Sequence, residues 1–137
     1  MITVNNVRKD FGSFTALKDV SCNVGNGSIY GLVGYNGSGK TTLLKIISGV
    51  YEPDEGGVLI NGGMVFDNET VKRRIFFVPD DLFFLPQASL QRMARFYTGY
   101  YPQFSMETFH KLVEMFELSP RKRINGFSKG MQRQAAL

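Results

Sequence analysis

The sequence predicts an α/β fold in two parts, with strands around a glycine-rich loop first and a helical segment second. Three observations predict it. Residues 28–33 form a short apolar run bounded by glycines, which reads as a buried strand. The run leads straight into Gly34-Tyr35-Asn36-Gly37-Ser38-Gly39-Lys40-Thr41, and residues 40–48 then read as a helix. After Pro86 the character of the chain changes to helical.

The elements follow in order. Ile2, Val4 and Val7 predict an edge strand with an irregularity between Val4 and Val7. A second extended segment covers residues 19–24 and ends at Gly25-Asn26-Gly27. The strand over 28–33 comes next. In the helix over 40–48, Leu43, Leu44, Ile46 and Ile47 make a wide apolar face, and Gly49 is a natural C-cap. Pro53-Asp54-Glu55-Gly56-Gly57 is a turn cluster. Residues 58–60 form a short strand closed by the hairpin signal Asn61-Gly62. Residues 75–78 are another apolar strand, terminated by Pro79. Leu90, Met93 and Tyr97 lie at helical spacing, as do Phe109, Leu112, Val113 and Phe116 in a helix capped by Ser105. A last helix starts at Ser128 and is expected to be running still at Leu137.

Composition narrows the function classes. At 137 residues and 43% hydrophobic content, the chain has the length of one domain and enough apolar material for a core. No apolar run approaches the ~20 residues that span a bilayer. The first ten residues lack the apolar stretch of a secretory signal. The single cysteine, Cys22, allows no internal disulfide and points to a reducing compartment. Net charge is +4, with basic residues at Arg121-Lys122-Arg123, Lys129 and Arg133. Nothing resembles a groove-reading or base-stacking module, so no nucleic-acid partner is expected. Those cations read as a solvated face and as groups near a polyphosphate.

The run from Gly34 to Thr41 fits G-x-x-x-x-G-K-[ST], the P-loop. Gly37 and Gly39 let the backbone curl with its N–H groups around phosphate oxygens. The helix that follows adds its positive N-terminal end. Lys40 is expected on the β and γ phosphates, Thr41 on Mg2+, and Thr42 on a nearer phosphate. Gly34, Asn36 and Ser38 complete the nucleotide-binding set. A glycine-rich turn that merely caps a helix is the plainer reading; the strand before it and helix after it argue against that.

The P-loop has company. Phe11-Gly12 precedes it, and Pro79-Asp80-Asp81 and Phe127-Ser128-Lys129-Gly130-Met131 follow. In order and spacing this resembles the ATP-binding cassette of ABC transporters, from the first strand to the signature helix. The resemblance implies a partial P-loop NTPase: a RecA-like core with an antiparallel β edge and an incomplete sheet, joined to an α-helical subdomain. It divides the chain into 1–86, the ATP-binding core with its β subdomain, and 87–137, the helical subdomain with the start of the signature helix. It implies that Phe11 stacks on adenine, a contact worth ~1–3 kcal/mol per base. Phe14 is the rival stacker, and core packing is the alternative for Phe11. It also implies that Ser128, Lys129 and Gly130 face the γ-phosphate of ATP held by a second nucleotide-binding subunit in a head-to-tail dimer. Ser128 suits that place as an N-cap, presenting a helix N-terminus to an anion.

Three departures qualify the resemblance. Lys129 and Met131 stand where the family usually has glycine and glutamine, so Ser128 has no glutamine to complete a capping box. A Ser-Lys-Gly-Met signature resembles an exporter subgroup of drug and peptide-antibiotic transporters. Asp80 occupies the place of the family's glutamine after a strand. Two like charges ~4 Å apart repel by roughly 4 kcal/mol at an effective dielectric near 20, so a carboxylate facing the γ-phosphate would abolish useful affinity. Asp80 is therefore expected at Mg2+ or its water shell, or as a surface residue turned away. Finally, the Walker B strand, the catalytic glutamate and the switch histidine that the resemblance implies do not follow. His110 precedes the signature and reads as a helix-surface residue. The sequence is expected to be the first part of a longer subunit, inactive by itself in hydrolysis and prone to expose sheet edge and apolar surface.

The function implied is that of an ATP-binding subunit coupling ATP binding and hydrolysis to transport, export by preference. It would sit in the cytoplasm, peripheral to the inner face of the cell membrane. Its partners would be a second such subunit and a transmembrane permease, met through Asp81-Leu82-Phe83-Phe84-Leu85-Pro86 and the helices after it. The alternatives are a soluble ABC-type ATPase acting on ribosomes or DNA, and a nucleotide-binding module without chemistry.

Overall fold

The structure, a computed structural model, describes residues 1–136. They divide into two compact units, Met1–Phe77 and Val78–Leu137. The class is α/β, with an open antiparallel sheet. The sheet has four strands in the order β2-β1-β3-β4: β1 (Ile2–Phe11), β2 (Phe14–Val24), β3 (Glu55–Ile60) and β4 (Gly63–Met64).

β1 is an interior strand, paired antiparallel with β2 on one side and β3 on the other. The sequence predicts an edge strand with an irregularity between Val4 and Val7; the irregularity is there, but pairing on both sides makes the strand interior. The irregularity is a bulge: the register shifts between Val4 and Val7 against β2, and between Asn5 and Arg8 against β3. Asn6 takes a left-handed conformation with φ 45°, which asparagine tolerates. Its amide N–H donates to Ser21 Oγ at 2.8 Å and its Nδ2 to Asp19 Oδ1 at 2.7 Å. The extra residue turns both Val4 and Val7 inward, and both are fully buried. β3 begins earlier than the turn-like composition of residues 53–57 predicts. Gly56 lies against the bulge, where a Cβ would sit 2.2 Å from the Asn5 carbonyl oxygen, so this glycine serves close strand approach. The hairpin at Asn61-Gly62 forms as predicted and leads into β4.

Helix α1 (Lys40–Ile47) covers the sheet with Leu43 and Ile46, which join Val4, Val7, Leu17, Val58, Val65 and Val71 in one core. Leu44 is exposed, so the apolar face is narrower than the sequence predicts. The helix stops in a Schellman arrangement: Val50 N–H donates to the Lys45 carbonyl at 2.8 Å and Gly49 N–H to that of Ile46 at 3.0 Å. A short helix that the sequence reading misses, α2 (Glu69–Lys72), is capped by Asn68, whose side chain accepts from Val71 N–H.

Residues 28–33 and 75–78 are not strands. Both are short apolar runs, for which periodicity cannot supply a ladder partner. A strand exists only by pairing, and neither segment pairs with a strand among the described residues. Residues 28–33 are also exposed instead of buried, Val33 at 94%.

The second unit has its own core of Ala88, Leu90, Met93, Leu118, Ile124 and Phe127. Helix α4 (Met106–Met115) starts at the predicted cap, Ser105, which accepts from Thr108 N–H; α3 (Leu90–Tyr100) starts at Ser89, which accepts from Arg92 N–H and which the sequence reading did not name. A 3-10 turn over Ile124–Gly126, absent from the sequence reading, precedes α5 (Lys129–Ala135). Ala136 is the C-cap of α5, and Leu137, where that helix was expected to be running, lies outside the described residues.

Candidate functional site

The glycine-rich loop joins residues 28–33 to α1 and is fixed from three directions. Its last glycine, Gly39, packs on β2: a Cβ there would lie 2.5 Å from the Ala16 carbonyl oxygen and 2.7 Å from Leu17 Cδ2. Its first, Gly34, packs on Ser38, whose Oγ would be 2.6 Å from a Cβ. Lys40 folds back and donates from Nζ to the carbonyls of Gly34 and Tyr35, each at 2.7 Å. Ser38 N–H donates to Tyr35 O at 3.1 Å, closing the tip around Asn36 and Gly37. The result is a closed loop at the N-terminus of α1 that holds the Lys40 ammonium against its backbone and has no room for a Cβ at Gly34 or Gly39. Thr41 and Thr42 occupy the first turn of α1, Thr41 exposed.

Phe11 ends β1 at a two-residue turn through Gly12 and Ser13, opposite Phe14. Both rings are accessible, Phe11 at 45% and Phe14 at 59%. They differ in support. Phe11 meets Tyr51 edge-on, centroids 5.8 Å apart and planes at 68°, and has Lys9 Nζ 5.8 Å from its centroid. Lys9 is itself paired with Asp54 at 2.9 Å. Around this aromatic lies an acid–base lattice. Arg8 Nε donates to Asp10 Oδ2 at 2.8 Å and Thr15 Oγ1 to Asp10 Oδ1 at 2.5 Å. Asp10 N–H donates to Asp54 Oδ2 at 2.6 Å. The Arg8 hydrogen bond, then that of Thr15, holds the Asp10 carboxyl below the usual carboxylate range. The Asp10 N–H and then Lys9 do the same for Asp54.

Asp80 and the signature residues belong to the second unit. Ser128 Oγ accepts from Met131 N–H at 3.2 Å, the N-cap the sequence predicts. Met131 does not complete a capping box, and a different contact anchors the helix start. Gln132 Nε2 donates to the carbonyls of Ile124 and Phe127, at 3.3 and 3.2 Å, tying the helix to the turn before it. Lys129 and Gly130 form the exposed first turn of α5. Asp80 is exposed and lines a pocket of about 310 Å3 with Val78, Pro79, Leu82, Arg133 and Gln134. His110 is exposed on α4.

The residues fit Mg-nucleotide in part. Mg2+ commonly takes one or two protein ligands and completes its shell with phosphate oxygens and water. The Thr41 hydroxyl, one residue beyond Lys40, suits one such ligand. Among the described residues no group of three or more His, Cys, Asp or Glu is placed to hold a metal without a nucleotide. Sequence reasoning missed Tyr51, Lys45 and Lys9. The only signal for Tyr51 was an aromatic residue two positions past the helix-ending Gly49.

With this geometry in place, the comparisons with known proteins are informative. The family model for ABC transporters matches residues 17–137. The ABC transporter ATP-binding protein YtrB of Bacillus subtilis is 30% identical over 137 residues, covering 100% of this chain and 47% of that protein. The sulfate/thiosulfate import ATP-binding protein CysA of Synechocystis sp. is 49% identical over 77 residues, covering 56% of this chain and 22% of that protein. The chain thus spans less than half the length of either relative. The dimeric structure of MJ0796, a bacterial ABC transporter cassette, matches with a TM-score of 0.83 at 28% identity, covering 99% of this chain and 67% of that one. MJ0796 in a post-hydrolysis state bound to ADP and Pi matches with the same TM-score at 26% identity, with the same coverage. Because one relative is an import protein, the export direction expected from Ser128-Lys129-Gly130-Met131 is not supported.

Proposed function

The chain belongs to the ABC transporter family, and on that premise we propose that it is the nucleotide-binding part of a transport ATPase subunit. The observation that carries the reading is Lys40 drawn onto the Gly34 and Tyr35 carbonyls inside a glycine ring at the start of α1. ATP exchanges those two carbonyls for phosphate oxygens: Lys40 moves to the β and γ phosphates, and the N–H groups of residues 34–42 surround them. Thr41 would hold Mg2+, which would screen the phosphate charge, and Phe11 takes the adenine. Asp80 lies in the second unit, and a place in the metal's water shell is the role its substitution tests, since direct contact with the γ-phosphate would be repulsive.

Two such subunits close head to tail. Ser128, Lys129 and Gly130 of each then reach the γ-phosphate held by the other. The nucleotide core lies in the first unit, and the helical part that addresses a membrane permease begins in the second, at Val78 and not at the expected residue 87. Phe83, exposed beside the buried-side Phe84 and Leu85, is the contact to that permease. The subunit works in the cytoplasm at the inner face of the membrane and couples to transport in either direction. Dimeric MJ0796 supports the pairing, and the import and ATP-binding relatives support the transport role.

The test is equilibrium binding of Mg-ATP to the wild-type chain and to Lys40→Ala. Loss of one charged hydrogen-bond donor is worth ~1.5–3 kcal/mol, so affinity should fall roughly ten- to a hundredfold. Equal affinities would remove the P-loop from the function. For Asp80, the Mg2+ dependence of ATP binding should shift in Asp80→Ala; an unchanged dependence takes Asp80 away from the metal.

A further inference from the structure

We infer that Tyr51 is a positioning residue for the nucleotide base: it fixes the Phe11 ring and couples it to the helix that carries the phosphate site. The inference rests on the reading of Phe11 as the adenine platform and adds the element that holds that platform in register.

Phe11 ends a hairpin, a place where an exposed ring would ordinarily sample several rotamers. Tyr51 limits it through the edge-on contact at 5.8 Å. Tyr51 in turn is fixed to α1 by three contacts with one residue, Lys45. Its N–H donates to the Lys45 carbonyl at 3.1 Å, and Lys45 Nζ donates to its hydroxyl at 3.4 Å. Lys45 Nζ also sits 5.0 Å from its ring centroid. Tyr51 packs against the first unit's core as well, so its ring has little freedom. Lys45 lies in the last turn of the same eight-residue helix whose first residue is Lys40. A helix of that length is stiff. The chain of contacts Phe11–Tyr51–Lys45–α1–Lys40 therefore sets the position of the base platform relative to the phosphate cradle. Phe11 keeps 45% of its surface accessible, so the edge contact leaves ring area for a base. A nucleotide that reaches both ends gains from a platform ordered before it binds; a ligand made only of phosphates gains nothing.

That difference supplies the test. Binding of Mg-ATP and of Mg-tripolyphosphate is measured for the wild-type chain, Tyr51→Leu, Tyr51→Phe and Phe11→Leu. An aromatic edge contact contributes on the order of 0.5–1.5 kcal/mol, so Tyr51→Leu should weaken ATP about two- to tenfold. Tripolyphosphate should bind Tyr51→Leu as it binds the wild type, which also shows that the variant is folded. Tyr51→Phe keeps the ring and should bind ATP nearly as the wild type does. If Phe11→Leu weakens ATP selectively and Tyr51→Leu does not, the positioning role is wrong and the platform reading survives. If Tyr51→Leu weakens both ligands equally, Tyr51 is structural only and the inference is overturned. If Phe11→Leu leaves ATP unchanged, the platform reading itself fails and takes the inference with it.

Discussion

At the scale of single residues, the charges around Phe11 do more than the net +4 suggests. Asp10 accepts from Arg8 and Thr15 and Asp54 from Lys9 and the Asp10 N–H, and the folded state lowers both carboxyls. A carboxyl with a depressed folded pKa adds stability that is complete above its unfolded value, ~3.9. That stability is lost as pH falls from there through the lower folded values. Acid should therefore loosen this hairpin below the ordinary carboxylate range, and neutral pH should not. The side chains are partly exposed, so the effect is modest and screened by salt. Asp54→Asn keeps an acceptor for Asp10 N–H and removes the charge. Its denaturation midpoint should lie below wild type at pH 7 and converge with it at low pH; parallel pH curves would show that Asp54 contributes no charge-dependent stability.

At the scale of elements, the phosphate loop gets its shape from the strand it rests on. Gly37 and Gly39 both have positive φ, 84° and 86°, so alanine at either bears the same conformational cost of ~1–2 kcal/mol. Their surroundings differ. A Cβ at Gly37 meets nothing within 4 Å, whereas one at Gly39 would press on the backbone of Ala16 and on Leu17. Gly39→Ala should accordingly be the more destabilising of the two by chemical denaturation, by an added 1–3 kcal/mol of order. Equal losses would mean that β2 does not seat the loop. The loop was legible in the sequence because its residue types answer to one chemistry at one spacing. The helices were legible because Ser89, Ser105 and Ser128 are good caps for the apolar spacing that follows, although only the last two were read as such. The seat on β2 was not legible, since Ala16 and Leu17 come together with Gly39 only through the fold. Tyr51 was missed for the same reason: its partners, Phe11 and Lys45, are separated from it by a strand hairpin in one case and a helix end in the other.

At the scale of the whole molecule, the chain keeps two cores, one under the sheet and one among the helices. What it does not bury is as telling. Residues 28–33 were read as a buried strand from their composition, and that composition is sound for a strand with neighbours on both sides. Here Ile29 and Val33 are almost wholly accessible and Leu32 partly so, a run of apolar side chains beside the phosphate loop that pairs with no strand among the described residues. The physics that makes the segment look like a strand makes it adhesive when it has no ladder. This chain should associate in solution, with a mean mass by light scattering that rises with concentration. Ile29→Lys and Val33→Lys together place two charges on the exposed run and should return the mass toward 15.4 kDa without lowering Mg-ATP affinity by more than about twofold. A monodisperse monomer for the unmodified chain at high concentration would show that the run is satisfied by some other means. Association that persists in the double variant would place the adhesive surface elsewhere.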